Sequence, residues 1–173
     1  MLLTLDIGNT RAKLVSFVDG HPRLEAACAV SELPAAFAGI AAHRPEVTSL
    51  RWCSVGADDA LVETLLARTG WPTRRLVAAA EVGGVRLAYR TPHTLGVDRL
   101  AAVLGARSLQ PQGHLLVIDA GTCITFDLLL SNGHYLGGNI SPGLDMRLRA
   151  MHEFTARLPL VCAEGENPDY GYD

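Results

Sequence analysis

Two short Asp-x-Gly segments, each carrying a hydroxyl residue next to or near the glycine, are the parts of this sequence best suited to chemistry. The first is Asp6-Ile7-Gly8-Asn9-Thr10 and the second is Asp119-Ala120-Gly121-Thr122. A glycine lets backbone N–H groups approach a phosphate closely, a hydroxyl adds a donor, and a carboxylate can hold a metal ion or its water shell. Both segments are therefore candidate phosphate-binding turns.

The structural alternative is that an Asp-x-Gly turn only ends a strand. For one copy alone, that alternative is favoured. Two copies in matched contexts favour phosphate binding instead. Neither copy fits a Walker A loop or the Gly-x-Gly-x-x-Gly turn of a dinucleotide fold, which disfavours those two common nucleotide sites. Lys13 lies on the strand after the first turn, where neutralising a phosphate and facing solvent are about equally plausible roles.

The stretch from Tyr89 to Arg99 places an aromatic ring, a carboxylate and several cations around a glycine and a helix start. Asp98 taken alone is best explained as a helix cap. The functional alternative is a general base that takes the proton from an attacking hydroxyl. Arg99 would then grip an anionic or carbonyl part of the substrate.

The elements that must position these residues repeat along the chain. The order strand, Asp-x-Gly turn, strand, Asx-Gly hairpin, strand and helix occurs from Leu2 and again from His114, which predicts an internal duplication. Predicted strands cover 2–7, 11–18, 23–30, 50–55, 114–118, 123–130 and 135–140, and predicted helices cover 31–43, 58–69, 97–109 and 142–154, with Ser31 as an N-cap. Residues 79–95 show no sustained period and are predicted to be irregular.

Composition narrows the class of protein. The 173 residues are 49% hydrophobic and 19% charged, which is enough apolar material for a core of one or two lobes. A net charge of −3 without a basic block gives no basis for tight binding to nucleic acid or an anionic membrane, so a small-molecule partner is expected. The four cysteines are widely spaced and are interpreted as reduced thiols, and neither a secretory signal nor a membrane span is expected.

Four motifs in order resemble those of the type III pantothenate kinases. They are Asp6 to Thr10 with Lys13, the run Gly96-Val97-Asp98-Arg99, the second Asp-x-Gly turn, and Gly137-Gly138-Asn139-Ile140-Ser141-Pro142-Gly143. Each motif alone has little specificity, but their order covers nearly the whole chain.

The resemblance implies an α/β fold of duplicated actin-like (ribonuclease H-like) ATPase lobes, and transfer of the γ-phosphate of ATP to pantothenate in the first step of coenzyme A synthesis. It implies that Asp98 is the proton acceptor and that Asp119 binds a monovalent cation, K⁺ or NH₄⁺, while Mg²⁺ accompanies ATP. The ATP-binding residues would be Asp6, Ile7, Gly8, Asn9, Thr10, Arg11, Ala12, Lys13 and Thr122. The pantothenate-binding residues would be Tyr89, Gly96, Val97, Asp98 and Arg99.

The resemblance also implies a cytoplasmic homodimer, with residues 1–111 as the first lobe and 112–173 as the second. Family members continue past the equivalent of Val161 with further elements and a pantothenate-contacting motif. We therefore expect the second lobe of this chain to be incomplete and the chain to be a fragment.

Two other functions stay open on the sequence. One is a non-catalytic, nucleotide-binding regulatory or accessory protein of the same family. The other is a phosphohydrolase on the same fold, which is less favoured because the acidic chain shows no basic channel for a polyanion.

Overall fold

The computed structural model describes residues 1–56 and 59–162, which form two mixed five-stranded sheets flanked by helices. The first sheet contains β1 (Leu2–Ile7), β2 (Ala12–Val18), β3 (His21–Cys28), β4 (Ser49–Ser54) and β5 (Thr73–Arg75), in the order β3-β2-β1-β4-β5. Strands β1 to β3 form an antiparallel meander, whereas β4 pairs in parallel with β1 and with β5. The Asp6 turn therefore follows a central strand.

Helices α1 (Leu33–His43) and α2 (Asp59–Ala67) pack on the first sheet through apolar side chains that recur at helical spacing. Leu33, Phe37 and Ile40 of α1 join Leu3 and Leu5 of β1 in one buried cluster. The predicted N-cap at Ser31 is wrong, because Val30–Glu32 form a short 3₁₀ turn and α1 begins at Leu33.

The second sheet has the order β6-β7-β10-β9-β8, from β6 (Glu81–Val82), β7 (Val85–Leu87), β8 (Leu115–Ala120), β9 (Cys123–Leu129) and β10 (His134–Pro142). The prediction that 79–95 is irregular is wrong for β6 and β7, which form a tight hairpin joined in parallel to β10. Strands of two and three residues are too short to show a period in the sequence.

Helix α3 (Val97–Leu109) lies between the sheets, because it contacts β8 and β9 of the second sheet and also β4 of the first. Its residues Leu100 and Val103 are fully buried with Tyr135 of β10 in a second core. Helix α4 (Leu144–Glu153) follows β10. The first two strands of the second sheet precede residue 112, so the domain division proposed after residue 111 stays a prediction.

The predicted duplication is confirmed by the two meanders. Strands β8, β9 and β10 pair antiparallel in the same order as β1, β2 and β3, and each first strand ends at an Asp-x-Gly turn. In the part of the chain that the structure describes, no helix has the length and apolar character that a membrane crossing needs.

Candidate active site

The two Asp-x-Gly turns meet across the gap between the sheets. The hydroxyl oxygens of Thr10 and Thr122 lie 3.4 Å apart although the residues are separated by 112 positions. Each turn is closed by its own backbone bond, from the Gly8 N–H to the carbonyl of Arg11 at 3.0 Å and from the Gly121 N–H to that of Cys123 at 2.9 Å. The Gly8 and Gly121 amides are thus used within the turns, and the hydroxyls of Thr10 and Thr122 are the groups that the two turns bring together.

Asp6 lies in a row of three side chains that crosses the first sheet. It pairs with Lys13 on β2 and with Cys53 on β4, and directly paired residues share one face of a sheet. Lys13 is exposed and lies on the same face of the sheet as Asp6, so both of its predicted roles stay open.

The Asp6 carboxyl has a pKa above its ordinary value. Burial is the largest cause, and the negative charges of Asp98 and Asp119 add to it, while the Cys53 hydrogen bond and the Lys13 charge oppose it. Asp98 of α3 and Asp119 of the second sheet therefore lie near enough to Asp6 for their charges to act on it.

Cys53 is a buried neighbour of this site that the sequence did not indicate. Its Sγ donates to Oδ1 of Asp6 at 3.4 Å, and burial together with the Asp6 charge raises the pKa of the thiol to about 12. The thiol therefore stays protonated and serves as a hydrogen-bond donor. Only the parallel pairing of β1 with β4 brings it beside Asp6.

The other predicted ATP-binding residues divide by exposure. Asn9 and Arg11 are exposed at the turn, whereas the side chains of Ile7 and Ala12 are fully buried in the first core. For Ile7 and Ala12, only the backbone is placed to contact a ligand.

Asp98 lies in the first turn of α3, whose N-cap is Gly96. Oδ1 of Asp98 accepts the N–H of Arg99 at 2.8 Å, so the carboxylate bonds a first-turn amide without being the N-cap residue. A Cβ on Gly96 would lie 2.6 Å from that same Oδ1, so a larger residue at this position would displace the carboxylate. Val97 points its side chain into the protein and is 9% exposed.

Arg99 is buried and bonded within the protein, which the sequence did not indicate. Its Nη2 donates to Oδ1 of Asp127 at 2.6 Å and its Nε approaches both oxygens of that carboxylate at 3.1 and 3.2 Å. The hydroxyl of Tyr135 donates to the same Oδ1 at 2.5 Å. The ring of Tyr89 stacks on Tyr135 with centroids 5.9 Å apart.

The charge states of this cluster are fixed by its contacts. Burial alone would lower the pKa of Arg99, but the hydrogen bond to Asp127 and the surrounding groups raise it above its ordinary value. Burial and the Asp127 hydrogen bond raise the pKa of Tyr135 well above its ordinary value. The cluster is an ion pair with a phenol donor.

Two glycines of the Gly137–Gly143 motif have a structural explanation. Gly137 has a φ of +90°, and a Cβ there would lie 2.6 Å from Cε2 of Tyr89. A Cβ on Gly143 would collide with the backbone carbonyls of Gly121 and Thr122. The motif therefore lets β10 and the start of α4 approach Tyr89 and the second Asp-x-Gly turn.

Open cavities lie beside each group of candidate residues. One of about 360 Å³ is lined by Gly121 and Thr122 together with Asp145, Arg149 and other residues of α4. Another, of about 440 Å³, is lined among others by His93, Gly96 and Val97, which lie just before and at the start of α3. Both have the size of small-ligand sites. Among residues 1–56 and 59–162, no three His, Cys, Asp or Glu side chains form a preassembled metal-binding group.

Comparisons with known proteins agree with the motif order. The sequence model of the type III pantothenate kinases matches residues 2–172. A type III pantothenate kinase of Porphyromonas gingivalis is 40% identical over 182 residues, covering 98% of this chain and 69% of that protein. One from Flavobacterium johnsoniae is 39% identical over 162 residues, covering 93% and 65%.

A further relative shares a shorter and more similar region. A type III pantothenate kinase of Bacteroides fragilis is 62% identical over 85 residues, which is 49% of this chain and 35% of that protein. The chain thus spans between about a third and about two thirds of the length of these curated relatives.

Matches among solved structures include a Ppx/GppA family member from Aquifex aeolicus, with a TM-score of 0.44 and 13% identity over 85% of this chain and 52% of that one. YeaZ from Pseudomonas aeruginosa gives a TM-score of 0.38 and 12% identity, over 82% and 66%. The match of residues 2–172 to the family model and the near-complete alignment to a curated member lead to one conclusion: this chain belongs to the type III pantothenate kinase family.

Proposed function

We propose that this chain contains the ATP-binding and acceptor-binding centre of a pantothenate kinase, which transfers the γ-phosphoryl group of ATP to the primary hydroxyl of pantothenate. The observation that carries the proposal is the 3.4 Å approach of Thr10 to Thr122, which brings the two candidate phosphate-binding turns together. The charge of Asp98 acts on Asp6 of the first turn, which supports including Asp98 in the same site. The choice of pantothenate as the acceptor rests on membership of the type III pantothenate kinase family.

A protein catalyses phosphoryl transfer mainly by positioning the reactants and neutralising the phosphate charge. The backbone N–H groups of the two turns and the hydroxyls of Thr10 and Thr122 hold the phosphates, and Lys13 adds a cation near Asp6. The cavity beside Thr122 has room for the remainder of the nucleotide.

Asp6 and Asp119 fit the cations proposed for the site. The negative charges of Asp98 and Asp119 help to raise the pKa of Asp6, so a bound cation would stabilise the ionised carboxylates. Mg²⁺ bound with ATP supplies neutralisation of phosphate charge, and the proposed K⁺ or NH₄⁺ site is at Asp119.

Asp98 is proposed as the base that takes the proton of the acceptor hydroxyl. Its carboxylate is held at the start of α3 by the Arg99 amide, and the two residues before it, Gly96 and Val97, line the cavity of about 440 Å³. Tyr89 and Arg99 are the other side chains proposed to bind pantothenate. A cytoplasmic homodimer is proposed from the family resemblance.

The test is ADP formation by the full-length protein with and without pantothenate, in K⁺ and then in Na⁺ buffer with Mg²⁺ present. We expect ADP formation to depend on pantothenate and to be faster in K⁺ buffer than in Na⁺ buffer. ATP binding without pantothenate-dependent turnover would contradict it and would favour the accessory-protein alternative.

Replacing Gly143 with alanine is expected to weaken ATP binding about tenfold to a hundredfold. The new methyl group would displace the carbonyls of Gly121 and Thr122, and small displacements of positioning groups have effects of this size. Isothermal titration with an ATP analogue measures the change.

The matched control is Gly105→Ala in α3. Among the described residues, no heavy atom beyond the helix backbone lies within 4 Å of a Cβ at that position. We expect it to bind normally and to be slightly more stable, since alanine is the better helix former. Equal ATP affinity in Gly143→Ala and Gly105→Ala would refute the explanation of the Gly143 contact.

Replacing Asp6 with asparagine is expected to stabilise the nucleotide-free protein at neutral pH while weakening binding of Mg²⁺-ATP. The raised pKa of Asp6 means that its ionised form opposes folding above that pKa, and asparagine removes this cost. The gain in melting temperature should shrink as the pH falls toward the unfolded-state value of 3.8, where Asp6 is protonated in both states.

Melting temperatures across a pH series, with and without Mg²⁺-ATP, test both parts. Wild-type binding should be lost on acidification at a higher pH than an ordinary aspartate would give, whereas binding by the variant should change less with pH. A variant that is less stable than the wild type at pH 7 would contradict this interpretation of Asp6.

A further inference from the structure

Asp127 is a buried carboxylate to which the proposed mechanism gives no role. It lies on β9, is 1% exposed, and faces α3 across the second core. Its oxygens accept hydrogen bonds from Arg99 at 2.6 to 3.2 Å and from Tyr135 at 2.5 Å. A hydrogen-bonded buried ion pair of this kind has a well-defined geometry.

Arg99 is held by this carboxylate rather than presented freely to a ligand. Its side chain is 8% exposed, and the edge formed by Nε and Nη2 is engaged by Asp127. The remaining Nη1 approaches the hydroxyl of Tyr89 at 3.5 Å. With its charge balanced by Asp127, Arg99 is held in one orientation, with its Nη1 directed at the Tyr89 hydroxyl.

Tyr89 is held by the same cluster. Its ring stacks on Tyr135 at an interplanar angle of 17°, and Gly137 leaves the space that its ring edge occupies. Two of the proposed acceptor-binding side chains, Tyr89 and Arg99, therefore contact the pair formed by Asp127 and Tyr135.

Asp98 is connected to this cluster through the backbone. It directly precedes Arg99, and its Oδ1 accepts the Arg99 N–H at 2.8 Å. The first helical bond of α3, from the Leu100 N–H to the carbonyl of Gly96, is 3.3 Å long. Fixing the Arg99 side chain therefore helps to fix the turn that carries the proposed base.

We propose that Asp127 and Tyr135 are positioning residues of the acceptor site, which orient Arg99 and Tyr89 directly and the Asp98 turn through Arg99. The inference rests on the proposed function for its acceptor. It assigns roles to two residues on β9 and β10 that lie outside the four sequence motifs used to recognise the family.

The experiment compares full-length wild type with Tyr135→Phe and Asp127→Asn by steady-state kinetics and by amide hydrogen exchange. Tyr135→Phe removes one hydroxyl and keeps the stacked ring, so it remains informative if Asp127→Asn does not fold. Asp19→Asn is the matched control, because Asp19 is exposed in the β2–β3 turn and asparagine accepts its φ of 51°.

We expect the KM for pantothenate to rise at least tenfold in Asp127→Asn and at least threefold in Tyr135→Phe, with the KM for ATP within twofold of wild type. Exchange of the Arg99 and Leu100 amides should be faster than in wild type, while α2 stays unchanged. Asp19→Asn should match wild type in every measurement. A purely structural role would lower the melting temperature and leave the pantothenate KM unchanged.

The outcomes separate the two claims. Pantothenate-dependent turnover in wild type with an unchanged pantothenate KM in both folded variants would overturn the positioning proposal alone. Absence of that turnover in wild type would overturn the proposed function. The exchange data would then still decide the structural part, because unchanged protection of Arg99 and Leu100 in Tyr135→Phe would show that the cluster does not hold this turn.

Discussion

Asp98→Asn is expected to lower the kcat for pantothenate phosphorylation by about 10² to 10⁴, the usual contribution of a general base. Asparagine has nearly the same shape, and its carbonyl oxygen can still accept the Arg99 N–H that Oδ1 accepts at 2.8 Å. The start of α3 is therefore preserved while the proton acceptor is lost. Steady-state kinetics of the full-length variant measure the effect.

Binding of ATP separates loss of chemistry from loss of structure in this variant. We expect the affinity for an ATP analogue to stay within a few-fold of wild type, because burial outweighs the Asp98 charge in raising the pKa of Asp6 and each turn is closed by its own backbone bond. A kcat within a factor of about three of wild type would remove Asp98 from the role of base.

Asp127→Ala is expected to lower the free energy of unfolding by about 3–5 kcal/mol. The substitution leaves the Arg99 guanidinium, 8% exposed, without its carboxylate and leaves the Tyr135 hydroxyl without its acceptor. A buried charge without a partner is far more costly than the intact pair. Urea unfolding monitored by circular dichroism gives the difference.

A double variant distinguishes an unpaired charge from simple loss of packing. Arg99→Met with Asp127→Leu replaces the ion pair by apolar side chains, which is often neutral or stabilising. We expect it to recover most of the stability lost in Asp127→Ala, although acceptor binding should stay impaired. If the double variant is as unstable as Asp127→Ala, the stability lost in Asp127→Ala comes from disturbed packing rather than from the unpaired Arg99 charge.

Local sequence patterns predicted most of the framework. The two strand meanders, the Asx-Gly hairpins and α3 are encoded in short-range alternation and turn residues, and the structure confirms them. The hairpin of β6 and β7 was missed because strands of two and three residues carry no period, and its position depends on parallel pairing with β10 far along the chain.

The candidate site was predictable where it consists of contiguous motifs. The Asp6 and Asp119 turns and the Asp98 turn could be named from the residues, and the structure brings them around one gap. Their roles as ligands of ATP, cations and pantothenate stay predictions until binding is measured.

The residues that support the site could not be found in the same way. Asp127 is 28 positions from Arg99, and Cys53 is 47 positions from Asp6, so only strand register and helix packing bring each pair together. The sequence feature that could have pointed to Asp127 is an acidic residue within the mostly apolar run of β9, because a carboxylate buried there requires a partner. Its partner had to come from the structure.

The most direct test of phosphotransfer to pantothenate is to follow the fate of the γ-phosphoryl group. Full-length protein with ATP, Mg²⁺, K⁺ and pantothenate would be observed by ³¹P NMR. We expect loss of the γ-phosphate resonance with equimolar appearance of ADP and a phosphomonoester of pantothenate. Appearance of inorganic phosphate at the same rate with and without pantothenate would contradict phosphotransfer and would indicate a hydrolase.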